Sequence, residues 1–416
     1  MASTANHREI YLRGVNAPAE KLLLGGGILA VLGMGIFLFQ LLGDDPARGW
    51  RVFHINFVFF TGVAQGAIIF AAIQKVTKGK WAGPIIRFAE AAVAFLPVSL
   101  LCFFIVFLGR NHLFPWIEHP TPARGNWLTV SWVFWRDLFA MVVLFGVTIA
   151  FVWHDLKPDV AELKDQVSGV KRRVYERIAG GFTGTPDDVA RNDGRIGWLA
   201  PLLIIVYAYM FTILGFDLVK SLAPYWVSNL FGAFIFIGAF LTGLTMLGLM
   251  MVYWRGQMNL HDIIGRQQFH DLGKLVFGFS IFWAYLMFSQ LLVIWYGNLP
   301  EETAFVFYRL SGVWQPVAVA VGLMVFFIPF WGLIWVKAKI TPGTFVLFLT
   351  ISFVGVWLER YLLIEPSLQS QGPAFGLTEI GVSLGFLGLF LLAYGTFARF
   401  LPMISPRLAA KALEMH

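Results

Sequence analysis

Ten stretches of about twenty predominantly apolar residues run along the chain, each ended by a polar or glycine-containing break. They are Leu22–Gly43, Val52–Gln74, Ile85–Gly109, Val130–Trp153, Gly197–Val219, Trp226–Trp254, Leu275–Tyr296, Val313–Trp335, Phe345–Leu363 and Leu377–Phe397. A run of that length crosses the hydrocarbon core of a bilayer as a helix, with its backbone hydrogen bonds satisfied internally. The pattern predicts an all-α, polytopic integral membrane protein with about ten transmembrane helices in one membrane domain over residues 1–416. The first run is too long for the core of a signal peptide and lacks a small-residue cleavage site, so it reads as the first span. One segment departs from the pattern. From Asp155 to Gly194 charge is concentrated, while Val160, Leu163, Val167, Val170, Val174 and Ile178 recur every three or four residues. That spacing predicts a soluble connector, over 155–196, built on an amphipathic helix. Its Lys171, Arg172, Arg173 and Arg177 face either anionic lipid headgroups or solvent. Pro97 and Pro329 fall inside spans and predict kinks, and Gly25–Gly27 predicts close helix packing.

Composition and charge sharpen this picture. Hydrophobic residues make up 58% of the chain and charged ones 13%, a balance at which a soluble domain would aggregate. With the amino terminus inside, the inner segments hold 23 of the 31 Lys and Arg residues. The asymmetry predicts that both termini are cytoplasmic. It also assigns the net charge of +7 to cytoplasmic loops rather than to a nucleic-acid partner. A single cysteine, Cys102, cannot hold an iron–sulfur cluster, a cysteine-rich zinc site or an intrachain disulfide. None of the eight histidines lies near mid-membrane, so a haem between paired axial histidines is not expected. Any electron carrier then resides in a partner or diffuses in the lipid.

Polar residues inside the spans carry the chemistry. On a helical wheel of the seventh span, Asp271, Lys274, Tyr285, Ser289 and Tyr296 share one side, while Ser280, Trp283 and Gln290 point elsewhere. The stripe is either a seam that packs helices together or, with His270 at its inner end, a hydrated proton path through the second half of the protein. Charges within spans are costly unless paired or used. Arg136 and Asp137 lie inside the outer end of the fourth span, and Asp217 lies at the outer end of the fifth. Glu359, Arg360 and Glu379 lie at the outer ends of the last two spans, and Arg87 and Glu90 can pair at the inner end of the third. Neighbours in a helix point about 100° apart, so Arg136 and Asp137 are expected to have different partners. With His112 and His119 in the adjoining loop, this outer cluster suits proton acceptance from a hydroquinone; a structural ion-pair cluster is the alternative.

The stretch HDLGKLVFGFSIFWAYLMFSQLLVIWYGNLPEET, His270 to Thr303, resembles a signature of the quinone-related membrane subunits of bacterial alternative complex III. These subunits belong to the polysulfide-reductase-like, NrfD-like membrane family. FDLVKSLAPYWVSNLFG, Phe216 to Gly232, is similar to a second signature, and Ile86–Glu90 and Glu359–Leu368 to weaker ones. The resemblance implies two four-helix bundles, over 52–219 and 226–363, with the first and last helices peripheral. It implies a part in menaquinol oxidation and proton translocation. The implied partners are a paralogous membrane subunit, an iron–sulfur subunit, and multihaem and monohaem cytochrome c subunits in a bacterial inner membrane. The length is closer to the ActF-type copy. Yet His112, Asp137 and Asp217 stand where the quinol-site copy, ActC-type, has its implicated residues, which gives Arg136 a place beside a quinone. The same resemblance admits the membrane anchor of a polysulfide-reductase-like molybdoenzyme. The residues by themselves also admit a redox-independent proton or ion carrier, or a purely structural scaffold.

Overall fold

The computed structural model describes residues 13–15 and 17–413. Its helices are α1 (Glu20–Leu41), α2 (Pro46–Thr77), α3 (Lys80–Leu108), α4 (Val130–Leu163) and α5 (Gly169–Ala179). They continue as α6 (Pro186–Leu218), α7 (Phe231–Gln257), α8 (Arg266–Gly297) and α9 (Pro300–Leu310). The last four are α10 (Gly312–Leu333), α11 (Pro342–Leu368), α12 (Leu377–Phe400) and α13 (Pro406–Leu413). Ten helices among the described residues are long and apolar enough to cross a membrane, and they coincide with the ten apolar runs. The chain is a multi-pass integral membrane protein.

Two helices form the centre. α2 is buried along almost its whole length, on all sides, and α7 packs along it. Their backbones meet at small residues: a β-carbon on Gly66 would collide with the Ala239 carbonyl oxygen, and one on Gly243 with the backbone of Gly66 and Ala67. Without a hydrophobic drive between helices in lipid, such close approach supplies the packing that holds them. On one side of this pair lie α3, α4 and α6; on the other lie α8, α10 and α11. The helices α1 and α12 pack on each other, and α12 also packs on α2 and the turn Ala91–Phe95 in the middle of α3. Gly26 of the glycine triplet lies against α12, where an added β-carbon would stand 2.9 Å from the Gly388 carbonyl oxygen; close packing thus rests on Gly26 alone, since Gly25 meets open space and Gly27 has room for a side chain.

Pro97 and Pro329 sit at irregular turns. α3 passes through 3₁₀ geometry over Lys80–Ile85 and Ala91–Phe95 before its regular part begins at Leu96, beside Pro97. In α10, a wide π turn over Leu323–Phe327 directly precedes Ile328 and Pro329. A proline removes one backbone donor and crowds the preceding turn, and a wider turn relieves both effects.

The connector differs from its sequence reading. The amphipathic pattern is split: α4 runs on without a break to Leu163, and a separate α5 begins at Gly169. Asp155 and Asp159, expected in a solvated segment, are fully buried in the membrane domain. The four basic residues of α5 also diverge. Lys171 turns inward and donates to the Val15 carbonyl, and burial pulls its ammonium below the ordinary lysine range. Arg172 pairs with Glu176, whereas Arg173 and Arg177 remain exposed.

Candidate functional site

The single helix α4 brings an acid to each end of the first group of helices. Asp137 lies seven residues from its start and Asp155 eighteen residues further on, about 27 Å of helical rise. That distance is close to the thickness of a bilayer's hydrocarbon core. Both side chains are fully buried.

At the Asp137 end, Asp217 of α6 is the hub. Its carboxylate accepts from Arg136 Nε at 2.6 Å and from Trp127 Nε1 at 3.0 Å. The Arg136 guanidinium lies 3.8 Å over the Trp127 ring, which fixes both donors. Asp137 also abuts Asp217, so the two neighbours on α4 address one partner, contrary to the 100° argument. Long side chains reach around a helix further than their Cβ directions suggest. Neither oxygen of Asp137 has a hydrogen-bond donor among the described residues. Two ionised carboxylates are acceptors only, so a hydrogen bond between Asp137 and Asp217 forms when a proton is shared.

A buried histidine not singled out in the sequence, His54, reaches the residue next to Asp217, whereas His112 lies at the surface. His112 is exposed on the short turn Arg110–Leu113, and its side chain makes no hydrogen bond or ion pair among the described residues. His54 is fully buried on α2, and its Nε2 donates to the Leu218 carbonyl at 2.7 Å, one residue beyond Asp217. Donation to a carbonyl fixes the Nε2 proton, so the neutral ring presents Nδ1 as an acceptor without a partner. Its signal in the sequence was a polar face: His54, Thr61 and Gln65 recur at seven and four residues along the helix. A cavity of about 220 Å³, open to the surface, adjoins the cluster and is lined by Trp127, Phe216, Arg124, Lys220 and neighbouring residues.

The Asp155 end is a buried ionic network. Arg87 donates to Glu90, to Asp159 at 2.6 Å and to the Asp155 carbonyl at 2.7 Å, with the Asp155 carboxylate 3.2 Å away. Lys75 reaches Asp155 at 2.5 Å, and Arg407 reaches Asp159 at 3.1 Å. Arg87, Glu90, Asp155 and Asp159 are all fully buried. The expected Arg87–Glu90 pair is therefore present within a larger set whose other members the sequence reading placed elsewhere. Tyr175 of α5 covers the network; burial, with Asp159 nearby, holds its phenol above the ordinary tyrosine range. Between the two ends, Thr148 donates to Gln65 at 3.3 Å, and Thr61 and Ser99 are 2.6 Å apart. Polar groups thus punctuate the interior of this half of the protein from one end to the other.

The stripe on α8 has the opposite placement from the one expected for a path. Its buried side carries Leu272, Val276, Ser280, Trp283, Leu286 and Gln290. Tyr285 is 62% exposed and Tyr296 86%, Ser289 is partly exposed, and Lys274 pairs with Asp271 at 2.7 Å near the surface, with His270 beside them. These residues do not line the interior of the second group of helices. A wheel shows that polar groups share a face, but not whether that face meets the bundle or the outside. Tyr285→Phe in the purified chain is accordingly expected to change stability by less than about 0.5 kcal/mol. A large drop in thermal midpoint would place the hydroxyl in a packed interior.

The charges at the carboxyl end of α11 and the amino end of α12 are tied into local pairs. Glu379 binds Arg48 through two bonds of 2.7 and 2.8 Å, Arg360 bridges Glu359 and the Ile235 carbonyl, and Arg51 holds Glu365. One oxygen of Glu359 lacks a partner among the described residues and borders an apolar cavity of about 60 Å³ between α7, α8, α9 and α11.

No curated protein matches this chain. A family model, described as polysulphide reductase, NrfD, matches residues 41–371, which include both acid clusters and all but the first and last spans. The chain belongs to this NrfD family of membrane subunits, which serve quinol-linked oxidoreductase complexes beside iron–sulfur and other redox subunits.

Proposed function

We propose that this chain is a quinol-handling and proton-conducting subunit of a quinol:cytochrome c oxidoreductase complex of the alternative complex III type. Its setting would be a bacterial inner membrane with both termini cytoplasmic, as the distribution of basic residues suggests. The partners in this reading are a paralogous membrane subunit, an iron–sulfur subunit and cytochrome c subunits. The observation that carries it is the buried Asp137–Asp217 pair, clamped by Arg136 and Trp127 beside an open cavity with two aromatic walls.

The residues there fit a quinol headgroup. Trp127 and Phe216 offer ring faces to the cavity, while Asp137 and His54 Nδ1, which do not line it, are buried acceptors without donors among the described residues. A bound menaquinol would supply two electrons to a redox partner and two protons to the protein. Arg136 fixes Asp217 in orientation, so that Asp217 and Asp137 can take a proton between them. Trp127 and Arg136 separate the pair from the outer water. At the other end, Glu90 and Asp155 exchange protons with the cytoplasmic side, and Thr148, Gln65, Thr61 and Ser99 anchor waters between.

Asp217→Asn removes the negative charge and keeps the shape. In the intact complex it is expected to lower quinol oxidation by about tenfold or more while the subunits still co-purify. Normal turnover would assign Asp217 a structural role and move the quinol site elsewhere. The family description also favours a second reading, the membrane anchor of a polysulfide-reductase-like complex. The same preparation separates the two: reduction of cytochrome c by quinol supports the first, and quinol-dependent polysulfide reduction the second.

A further inference from the structure

A groove at the basic end of the molecule has walls from four helices and no role in the chemistry above. It encloses about 360 Å³ between α3, α4, α5 and α12, and the side chains along it are apolar apart from Thr396 and the Trp153 ring nitrogen. Ile149, Val152, Trp153 and Leu156 form one wall, and Val174 and Ile178 of α5 another. A tryptophan so placed, partly exposed at the end of a span, is typical of the level where acyl chains meet headgroups.

Three cations lie close, in sequence or in space, to residues that line this groove or end α5. Arg177 precedes Ile178 and is exposed on the side of α5 away from the buried Tyr175. The Arg399 guanidinium lies 6.0 Å from the centre of the Phe400 ring, which itself lines the groove. The Lys157 ammonium stands at the end of α5, 3.9 Å from where a β-carbon on Gly180 would sit. None of the three side chains makes an ion pair among the described residues, and the nearby Glu176 is already taken by Arg172. Unpaired cations of one sign beside a greasy slot match an amphiphile with a negative head. Water can hydrate the cations but not cover the apolar slot, whereas such an amphiphile does both.

We propose that the groove binds an acyl chain of an anionic glycerophospholipid from the leaflet on the basic side, with its phosphate held among Lys157, Arg177 and Arg399. The bound lipid fastens α5 to the membrane domain and so closes the lid that Tyr175 forms over the Arg87 network. Each basic residue near the membrane surface adds attraction to anionic lipid, so three together discriminate strongly against a zwitterionic one.

The test uses the full-length chain in nanodiscs of phosphatidylcholine with and without a minor fraction of phosphatidylglycerol. Retained lipid is counted by native mass spectrometry, and thermal midpoints are recorded in parallel. The wild type is expected to retain phosphatidylglycerol over phosphatidylcholine by about tenfold or more and to melt at a higher temperature with it. The triple variant Lys157→Gln, Arg177→Gln, Arg399→Gln should lose that preference. Ile178→Trp, which fills the groove and leaves the cations, should lose the retained lipid as well, so the proposal stands on two independent variants. Equal retention of both lipids by the wild type overturns it. So does an undiminished preference in either variant, or an equal thermal shift from inorganic phosphate, which would mean a bare anion site with the groove idle.

Discussion

Arg87→Met is expected to be the most damaging single substitution in the chain. Arg87 is fully buried and contacts three carboxyl-bearing residues, and for Glu90 it is the only ion-pair partner among the described residues. Asp155 keeps Lys75 and Asp159 keeps Arg407, whereas Glu90 would be left as an uncompensated buried charge. Removing one partner of a buried pair costs about 3–5 kcal/mol, because the other charge stays desolvated. The loss should appear as a low yield of monodisperse protein in detergent and a thermal midpoint many degrees below wild type. The double variant Arg87→Met, Glu90→Leu should recover much of the difference, since exchanging a buried pair for apolar residues is often close to neutral. A single variant as stable as the wild type would mean that Glu90 is neutral in the fold.

Gly66→Val should separate the two halves of the protein. The glycine lies where α2 and α7 touch through backbone, and its missing side chain is matched by Gly243 on the other helix. Overpacking a core costs about 1–3 kcal/mol when side chains can adjust, and here the obstacle is a carbonyl that cannot. The expected result is proteolysis between α6 and α7 in membranes, with heat-induced unfolding in two stages instead of one. Gly278→Val is the control, since a β-carbon there meets open space. Equal tolerance of both would show that α2 and α7 can slide apart without loss.

The ten spans were legible because lipid imposes one pattern, about twenty apolar residues, whatever the packing. Helix ends were less so: α4 extends ten residues past Trp153, because Asp155 and Asp159 resemble a solvated turn until Arg87, Lys75 and Arg407 are brought to them. Asp217 was legible from its motif, and Arg136 and Asp137 from the cost of charge in a span. His54 was not, because what matters there is the Leu218 carbonyl, more than 160 positions away in sequence. The α8 stripe misled for a different reason. Periodicity gives the angle of a face around its own helix, and contact with other helices decides what that face meets. The exposed face carries Tyr285 and Tyr296, and the packed one carries Trp283 and Gln290.

The placement of Asp137 and Asp155 on one unbroken helix also sets an electrical scale. Because their separation is about 27 Å, nearly all of the potential across the membrane falls between them. A unit charge relocated from one carboxyl cluster to the other therefore does work of about 2.3 kcal/mol for every 100 mV. The occupancies of the two clusters by protons would then respond to voltage in opposite senses, and a polarised membrane would load one end of α4 while emptying the other.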